Sequence, residues 1–183
     1  IILSVVLPYL IMPIFYKVTP LADPELKAKL LGMAKRMGAK NIDRVLVADE
    51  SRRSVRANAM FSGIGNTKAI IIFDTLINRL TNREVVTVVA HELGHYVNKD
   101  IWRSAFISVF IAIPTFFIAD YVLRNSAANL GFMGIFDPAG LPLIFISLTA
   151  VGFLLQPLSN SISRRLEFQA DGFALRAADD PDA

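Results

Sequence analysis

The chain has 183 residues and a mean hydropathy of +0.48, and 54% of its residues are hydrophobic while only 19% are charged. This composition excludes a disordered chain, and the long apolar runs argue against a purely soluble globule. The complete lack of Cys excludes disulfide frameworks, thiolate metal sites and cysteine nucleophiles. The net charge of +3 comes from basic residues that flank the apolar runs. We therefore interpret them as membrane-topology signals and expect no nucleic-acid partner.

The first apolar run covers residues 1–16 and contains no charged residue before Lys17. It lacks the basic start and the small-residue cleavage site of a signal peptide, so we interpret it as the end of a transmembrane helix. The chain starts without Met, and residues 179–183 form a loop-like acidic end. These features lead us to expect an internal fragment of a longer membrane protein.

Residues 17–103 have the pattern of a small soluble region with helices and strands. A first helix is predicted over 24–37, where an Asp can cap its start and a Gly ends it. A second helix is predicted over 85–98, directly after a capping box at 81–84. Short strands are predicted at 45–47, 55–62 and 68–73, with a hairpin turn at 63–66. The predicted fold class is α+β with transmembrane helices: mostly helical, with a small β-sheet beside the second helix.

Two later runs are long and apolar enough to cross a membrane. Residues 104–123 contain one charge and residues 141–158 contain none, and a helix of about 20 residues spans the roughly 30 Å of a bilayer core. The alternative is a pair of buried helices in a soluble protein, which rarely need so many consecutive apolar residues. The single charge, Asp120, is either a functional intramembrane acid or an interfacial partner of Arg124, and we prefer the second interpretation.

The distribution of positive charge predicts the orientation of these two spans. Fifteen of the 19 basic residues lie in 17–103, and three more follow the second span. The positive-inside rule then places 17–103 and 159–183 in the cytoplasm and the loop 124–140 outside it. We therefore expect a multi-pass integral membrane protein, embedded in a lipid bilayer, whose active site faces the cytoplasm.

The second predicted helix contains the only two histidines of the chain, His91 and His95. Residues four apart lie on the same face of a helix, so both imidazoles can bind one Zn²⁺. Glu92 would lie beside the ion, where a carboxylate can accept a proton from an attacking water. The alternative, two histidines that only pack on an amphipathic helix, does not account for their spacing around a glutamate. The sequence therefore predicts a catalytic zinc site with one Zn²⁺ per chain.

A catalytic zinc site needs a third protein ligand, and without Cys or a third His this ligand must be a carboxylate. Glu167 is the best candidate, because two membrane crossings return the chain to the side of His95 before Glu167 is reached. Asp171 lies one helical turn later, where it could accept a hydrogen bond from a ligand imidazole. The alternative is that both carboxylates only pair with Arg164 and Arg165 at the membrane surface.

Together these residues resemble the type I CAAX prenyl endopeptidases, which are membrane-embedded zinc metallopeptidases of the gluzincin kind. The matching pieces cover nearly the whole chain, in the order 13–21, 54–63, 68–76, 91–95, 163–171 and 173–174. The resemblance implies His91, His95 and Glu167 as ligands, Glu92 as the catalytic base and Asp171 as the residue that orients a ligand.

The resemblance also implies a substrate and its binding site. The strand around Asn58 and Ala59 would line the cleft and pair with an extended peptide, although an ordinary edge or turn role for Asn58 is equally compatible with the sequence. The substrate would be a peptide or protein that ends in a CAAX sequence and carries a prenyl group. Family members often carry another His at the position of Asp100, which is not a ligand position. The family's transition-state His would lie beyond this chain.

Two other functions are compatible with the same residues. The first is a membrane quality-control metalloprotease of the HtpX type, with the same chemistry and broader substrates. The second is a non-catalytic membrane scaffold or transporter fragment, which would bind no zinc. The elements around Asn58 and at 73–76 favour the CAAX assignment over the first, and the intact Glu92 argues against the second.

Overall fold

The computed structural model describes residues 12–62, 68–127, 129–132 and 137–177, so the predicted turn at 63–66 and most of the predicted first span lie outside the described residues. The helices are α1 (Met12–Phe15), α2 (Pro24–Arg36), α3 (Asp74–Ile77), α4 (Asn82–Asn98), α5 (Asp100–Ala127) and α6 (Leu141–Ala177), with 3₁₀ turns at Glu50–Arg52 and Pro138–Gly140. The strands are β1 (Val18–Pro20), β2 (Arg44–Ala48), β3 (Ala59–Ser62) and β4 (Ala69–Phe73). The predicted fold class, mostly helical with a small sheet, is confirmed.

The described chain divides into two compact units. The first, here called the sheet unit, comprises the residues up to 101 together with those from 166 onward. The second, here called the apolar unit, comprises residues 102–165. The domain boundaries predicted from the sequence, at 17–103, 104–123, 124–140, 141–158 and 159–183, remain predictions.

The sheet unit is built on a mixed sheet with the strand order β1-β2-β4-β3. β2 and β4 are parallel, and the two outer pairs, β1 with β2 and β3 with β4, are antiparallel. The β3–β4 pairing matches Ala59 with Ile72 and Ser62 with Ala69, so the two strands that the sequence predicts on either side of the turn are antiparallel partners. β3 is an edge strand of this sheet, so one side of its backbone has no neighbouring strand among the described residues.

One face of the sheet packs on α2 and α4 and forms the main core. The fully buried large side chains of this core are Leu26, Leu30, Met33, Val45, Ile70, Ile72, Leu76, Val85, Val89 and Leu93. Burying each of these stabilises the fold by roughly 1.5–3 kcal/mol relative to exposure. The periodic apolar positions of α2 and α4 thus fix both helices on the sheet, with the opposite face of α4 turned outward.

The ends of the two core helices follow their sequence signals. Asp23 accepts hydrogen bonds from the backbone N–H groups of Glu25 and Leu26, and so caps α2. Thr81 and Glu84 form the predicted capping box, in which the Thr81 N–H donates to the Glu84 carboxylate over 2.8 Å. The capped helix begins three residues earlier than the predicted start at residue 85, because the box itself supplies its first turn.

Two strand assignments differ from the prediction. The strand predicted over 55–62 begins only at Ala59, because side chains satisfy the backbone before it: Ser54 accepts from the N–H of Arg56, and Thr75 donates to the carbonyl of Arg56. β1 was not predicted, and its last residue is a proline, which an edge strand tolerates because one side of its backbone is unpaired.

The apolar unit contains parts of two helices that are long and apolar enough to cross a membrane. The first extends beyond the predicted span 104–123, and the second continues from the predicted span 141–158 to Ala177 without a break at Pro157. Asp120 pairs with Arg124 through two hydrogen bonds of 2.7 and 2.9 Å, which agrees with the preferred interpretation of this acid as a paired residue.

Candidate metal centre

The centre is built on the outward face of α4. His91 and His95 lie one turn apart on this helix, and Val89 and Leu93 on the opposite side are fully buried in the core. The two imidazoles are each about one quarter exposed. The ring Nε2 atoms point at each other across 3.1 Å, so both present the same nitrogen to one point in space.

The end of α6 brings the predicted third ligand to this point. Glu167 Oε2 lies 3.4 Å from His91 Nε2 and 3.6 Å from His95 Nε2. No other described group of three or more His, Asp or Glu side chains converges in this way. The structure therefore brings together the three residues that the sequence assigned to the metal, although Glu167 lies more than 70 positions beyond the two histidines.

The three donor atoms have the geometry of a zinc site. Four-coordinate zinc with bonds of 2.0–2.1 Å separates neighbouring ligand atoms by about 3.3–3.4 Å. The separations of 3.1, 3.4 and 3.6 Å bracket this value. Two imidazole nitrogens with one carboxylate oxygen also form a donor set that suits zinc and leaves a fourth position open. These residues fit the ion.

Each imidazole has a carboxylate on its other nitrogen. Asp171 Oδ1 lies 2.9 Å from His91 Nδ1, at the place predicted for an orienting residue. Asp100 Oδ2 lies 2.9 Å from His95 Nδ1, and this contact was not predicted. Asp171 is largely exposed, whereas the Asp100 side chain is only 6% exposed. The spacing of five residues gave no helical signal for the second pair.

A glycine allows α4 and α6 to approach closely enough for this arrangement. A Cβ atom built on Gly94 would lie 3.1 Å from the Ala170 Cα and 3.2 Å from the Phe173 Cβ. Ala170 lies between Glu167 and Asp171 on α6. The small residue therefore sets the distance across which both carboxylates reach the imidazoles.

Glu92, the predicted base, follows His91 on α4 and lies about 100° further round the helix. Burial raises the pKa of its carboxyl group above the ordinary value. The neighbouring His91 and His95 lower this pKa, and the charge of Glu167 raises it. Burial prevails, and a raised pKa moves the carboxylate toward the range in which it can both accept and return a proton.

The predicted substrate residues lie at the start of the edge strand β3. The Asn58 side chain accepts a hydrogen bond from the Ala59 N–H, and the Asn58 carbonyl accepts one from the Phe73 N–H. Further along β3, Phe61 stacks on Tyr96, which follows His95 on α4, with ring centroids 5.3 Å apart. β3 is thus held against the helix that carries the candidate ligands.

An HExxH helix packed on a mixed sheet, an edge strand beside it and a glutamate from a later helix are together typical of zinc metallopeptidases. The profile of peptidase family M48 matches residues 20–183, and the chain belongs to this family. The resemblance to the CAAX prenyl endopeptidases is confirmed by sequence and structure comparisons.

The chain is similar to the probable CAAX prenyl protease 1 of Schizosaccharomyces pombe, with 34% identity over 94% of this chain and 37% of the relative. It is 35% identical to CAAX prenyl protease 1 of Saccharomyces cerevisiae, over 92% of this chain and 41% of the relative. The crystal structure of S. mikatae Ste24p matches with a TM-score of 0.71 and 33% identity, over 96% of this chain and 44% of that chain. The chain therefore spans about two fifths of the length of these relatives.

Proposed function

We propose that this chain carries the catalytic region of a zinc-dependent membrane metalloendopeptidase that cleaves CAAX-type prenylated substrates. The observation that carries the proposal is the convergence of His91, His95 and Glu167 at zinc-ligand spacing beside Glu92. A scaffold or transporter fragment has no need of three converging donors with a half-buried carboxylate next to them. The spacing therefore favours an enzyme over the non-catalytic alternative.

The residues of the candidate site would have different roles in catalysis. His91, His95 and Glu167 would hold one zinc ion per chain, and Asp171 would keep the His91 ring in place. When bound, zinc supplies a Lewis acid that polarises the scissile carbonyl and lowers the pKa of water toward about 7. Glu92 accepts the proton of the attacking water and returns it to the leaving amine. Burial raises the pKa of Glu92, which makes its carboxylate a stronger base for the first of these steps.

Among the described residues, one side of β3 has no neighbouring strand, and this supports the binding of an extended peptide there. A substrate that adds to this edge would gain main-chain hydrogen bonds, which tolerate many side-chain sequences. Asn58 lies at the end of the strand, where its amide could change partner from the Ala59 N–H to the substrate backbone. Selectivity must then come from side chains or attached groups of the substrate rather than from its backbone.

The prenylated substrate class is supported by the names of the yeast relatives and by the two helices that could cross a membrane. A prenyl group partitions into a bilayer, so an active site at the cytoplasmic membrane surface would meet such substrates there. A relative from Bacillus subtilis, 28% identical over 96% of this chain, is named only an uncharacterized metalloprotease, YhfN. This name specifies no substrate, and a quality-control metalloprotease with the same site chemistry is the second candidate.

The deciding experiment uses the full-length zinc-loaded protein in lipid vesicles. Its substrates are two peptides of identical sequence ending in CAAX, one farnesylated on the Cys and one not. We expect cleavage after the modified Cys, with kcat/KM at least tenfold higher for the farnesylated peptide. Equal cleavage of both peptides would favour the quality-control candidate, and cleavage of neither would contradict the proposed substrate class.

A further inference from the structure

We propose that Asp100 is a positioning residue that holds His95 in the ring orientation and tautomer required for binding the metal through Nε2. The inference rests on the proposed function, because it concerns the same metal. It assigns a role to a position at which the resemblance predicts none.

The first support is the geometry of the contact. Asp100 Oδ2 lies 2.9 Å from His95 Nδ1, while His95 Nε2 points toward His91 Nε2 and Glu167. A carboxylate only accepts hydrogen bonds at neutral pH, so it requires the proton on Nδ1 and leaves Nε2 free as a ligand. The His91–Asp171 pair has the same arrangement, with the same distance of 2.9 Å.

The second support is the burial of Asp100. Its side chain is 6% exposed, against 62% for Asp171. A hydrogen bond to a buried carboxylate is shielded from water and is stronger than the same bond at the surface. Of the two carboxylates that contact ligand imidazoles, Asp100 should therefore have the larger effect on metal binding.

The third support is the backbone between the two residues. Lys99 ends α4 in the left-handed conformation, with φ 57° and ψ 40°, and α5 begins at Asp100. In an uninterrupted helix, residue 100 would lie about 140° round the axis from His95, on a different face. A left-handed residue other than Gly costs roughly 1–2 kcal/mol. This strained residue redirects the chain so that the next carboxylate faces the His95 ring.

A purely structural role for Asp100 must be separated from this one, because an acid in the first turn of a helix also stabilises that helix. Asp74 offers a matched control. It is likewise the first residue of a helix, and it accepts hydrogen bonds from the N–H and the hydroxyl of Ser51 rather than from a ligand. Asp100→Asn and Asp74→Asn thus make the same chemical change in two helix starts.

The test measures zinc affinity by chelator competition, together with thermal unfolding of the zinc-free form, on the full-length protein and both variants. We expect Asp100→Asn to weaken zinc binding about 10- to 100-fold. Asp74→Asn should change zinc affinity less than twofold, even where it lowers the unfolding temperature. An Asp100→Asn protein with zinc affinity within twofold of the parent overturns the inference and leaves the proposed function intact. Failure of the parent protein to bind zinc overturns both.

A second measurement needs no Asp100 variant. In the zinc-free parent protein at alkaline pH, ring ¹⁵N resonances report which nitrogen of a neutral imidazole carries the proton. The His95 signals are assigned by their loss in His95→Gln. We expect the proton on Nδ1. A His95 ring that carries its proton on Nε2 contradicts the inference.

Discussion

The two units of the chain bury their apolar residues in opposite ways. In the sheet unit, Leu30 and Ile72 have no exposed surface, and the exposed face of α4 carries the polar site residues. In the apolar unit, Phe110 is 82% exposed and Phe106 is 74% exposed. Similar side chains are therefore inside one unit and outside the other. The sheet unit thus has the surface pattern of a segment that folds in water, whereas the exposed apolar surface of the other unit lies on helices that are long and apolar enough to cross a membrane.

The comparison predicts that the catalytic residues lie in the sheet unit. Among the variants proposed below, Glu92→Ala should therefore cause the largest loss of peptidase activity. Removing the base should lower kcat by about 10²- to 10⁴-fold, because proton transfer to and from the carboxylate is lost. Zinc content should stay at the parent level, since Glu92 is not among the converging donors. A peptide-cleavage assay on the full-length protein measures kcat, and metal analysis of the same samples measures the zinc content. Near-normal turnover would show that another group acts as the base.

The second prediction compares a buried apolar side chain of the sheet unit with an exposed one of the apolar unit. Leu30→Ala should destabilise the sheet unit by about 2–5 kcal/mol, because it leaves a cavity in a fully packed core. Phe110→Ala should cost less than about 0.5 kcal/mol in vesicles, since an exposed side chain packs on little protein. Thermal unfolding of the full-length protein in lipid vesicles measures the loss of stability in each variant. A large loss from Phe110→Ala would mean that protein, not lipid, covers this face.

The third prediction concerns close packing inside the sheet unit. Gly94→Ala should weaken zinc binding several-fold, because the new Cβ must displace Ala170 and with it Glu167 by a few tenths of an ångström. Gly32→Ala in α2 is the matched control, since a Cβ there would meet nothing within 4 Å. The control should stabilise the fold by up to about 1 kcal/mol and leave zinc affinity unchanged. Equal zinc affinity in both variants would contradict the importance of the close approach.

The smallest expected effect comes from the capping box of α4. Hydrogen bonds from the backbone N–H and the hydroxyl of Thr81 hold the pKa of Glu84 below its usual value. The stabilisation from Glu84 should therefore be complete above about pH 4.3 and be lost as the pH falls through the lowered folded-state pKa. Thermal midpoints of the zinc-free parent and of Glu84→Gln, measured across this range, should converge at low pH. In a Thr81→Ala background the difference above about pH 4.3 should be smaller, because the hydroxyl that donates to Glu84 is gone.

Local signals account for what the sequence predicted. The caps of α2 and α4 depend on residues within one helical turn, and the two apolar runs are continuous in the sequence. Glu167 was placed by elimination and by topology, and the structure brings it to the imidazoles. Its role as a ligand stays a prediction, as do the roles of His91, His95 and Asp171.

The features that the sequence did not predict depend on contacts or on backbone breaks. β1 exists because it pairs with β2, although its three residues carry no strand pattern of their own. The predicted start of β3 was wrong because two side chains, Ser54 in the same segment and Thr75 from α3, satisfy the backbone of Arg56 before Ala59 is reached. Asp100 was missed because helical spacing has no meaning across the left-handed residue Lys99.

The central claim is that Glu167, more than 70 residues beyond the histidines, completes one zinc site with them. Zinc stoichiometry of the purified full-length protein tests this most directly, with parent, Glu167→Ala and Glu92→Ala compared after the same dialysis. The account predicts one zinc ion bound through this site in the parent and in Glu92→Ala, and its loss in Glu167→Ala. Retention of the same zinc content in Glu167→Ala as in the parent would contradict it.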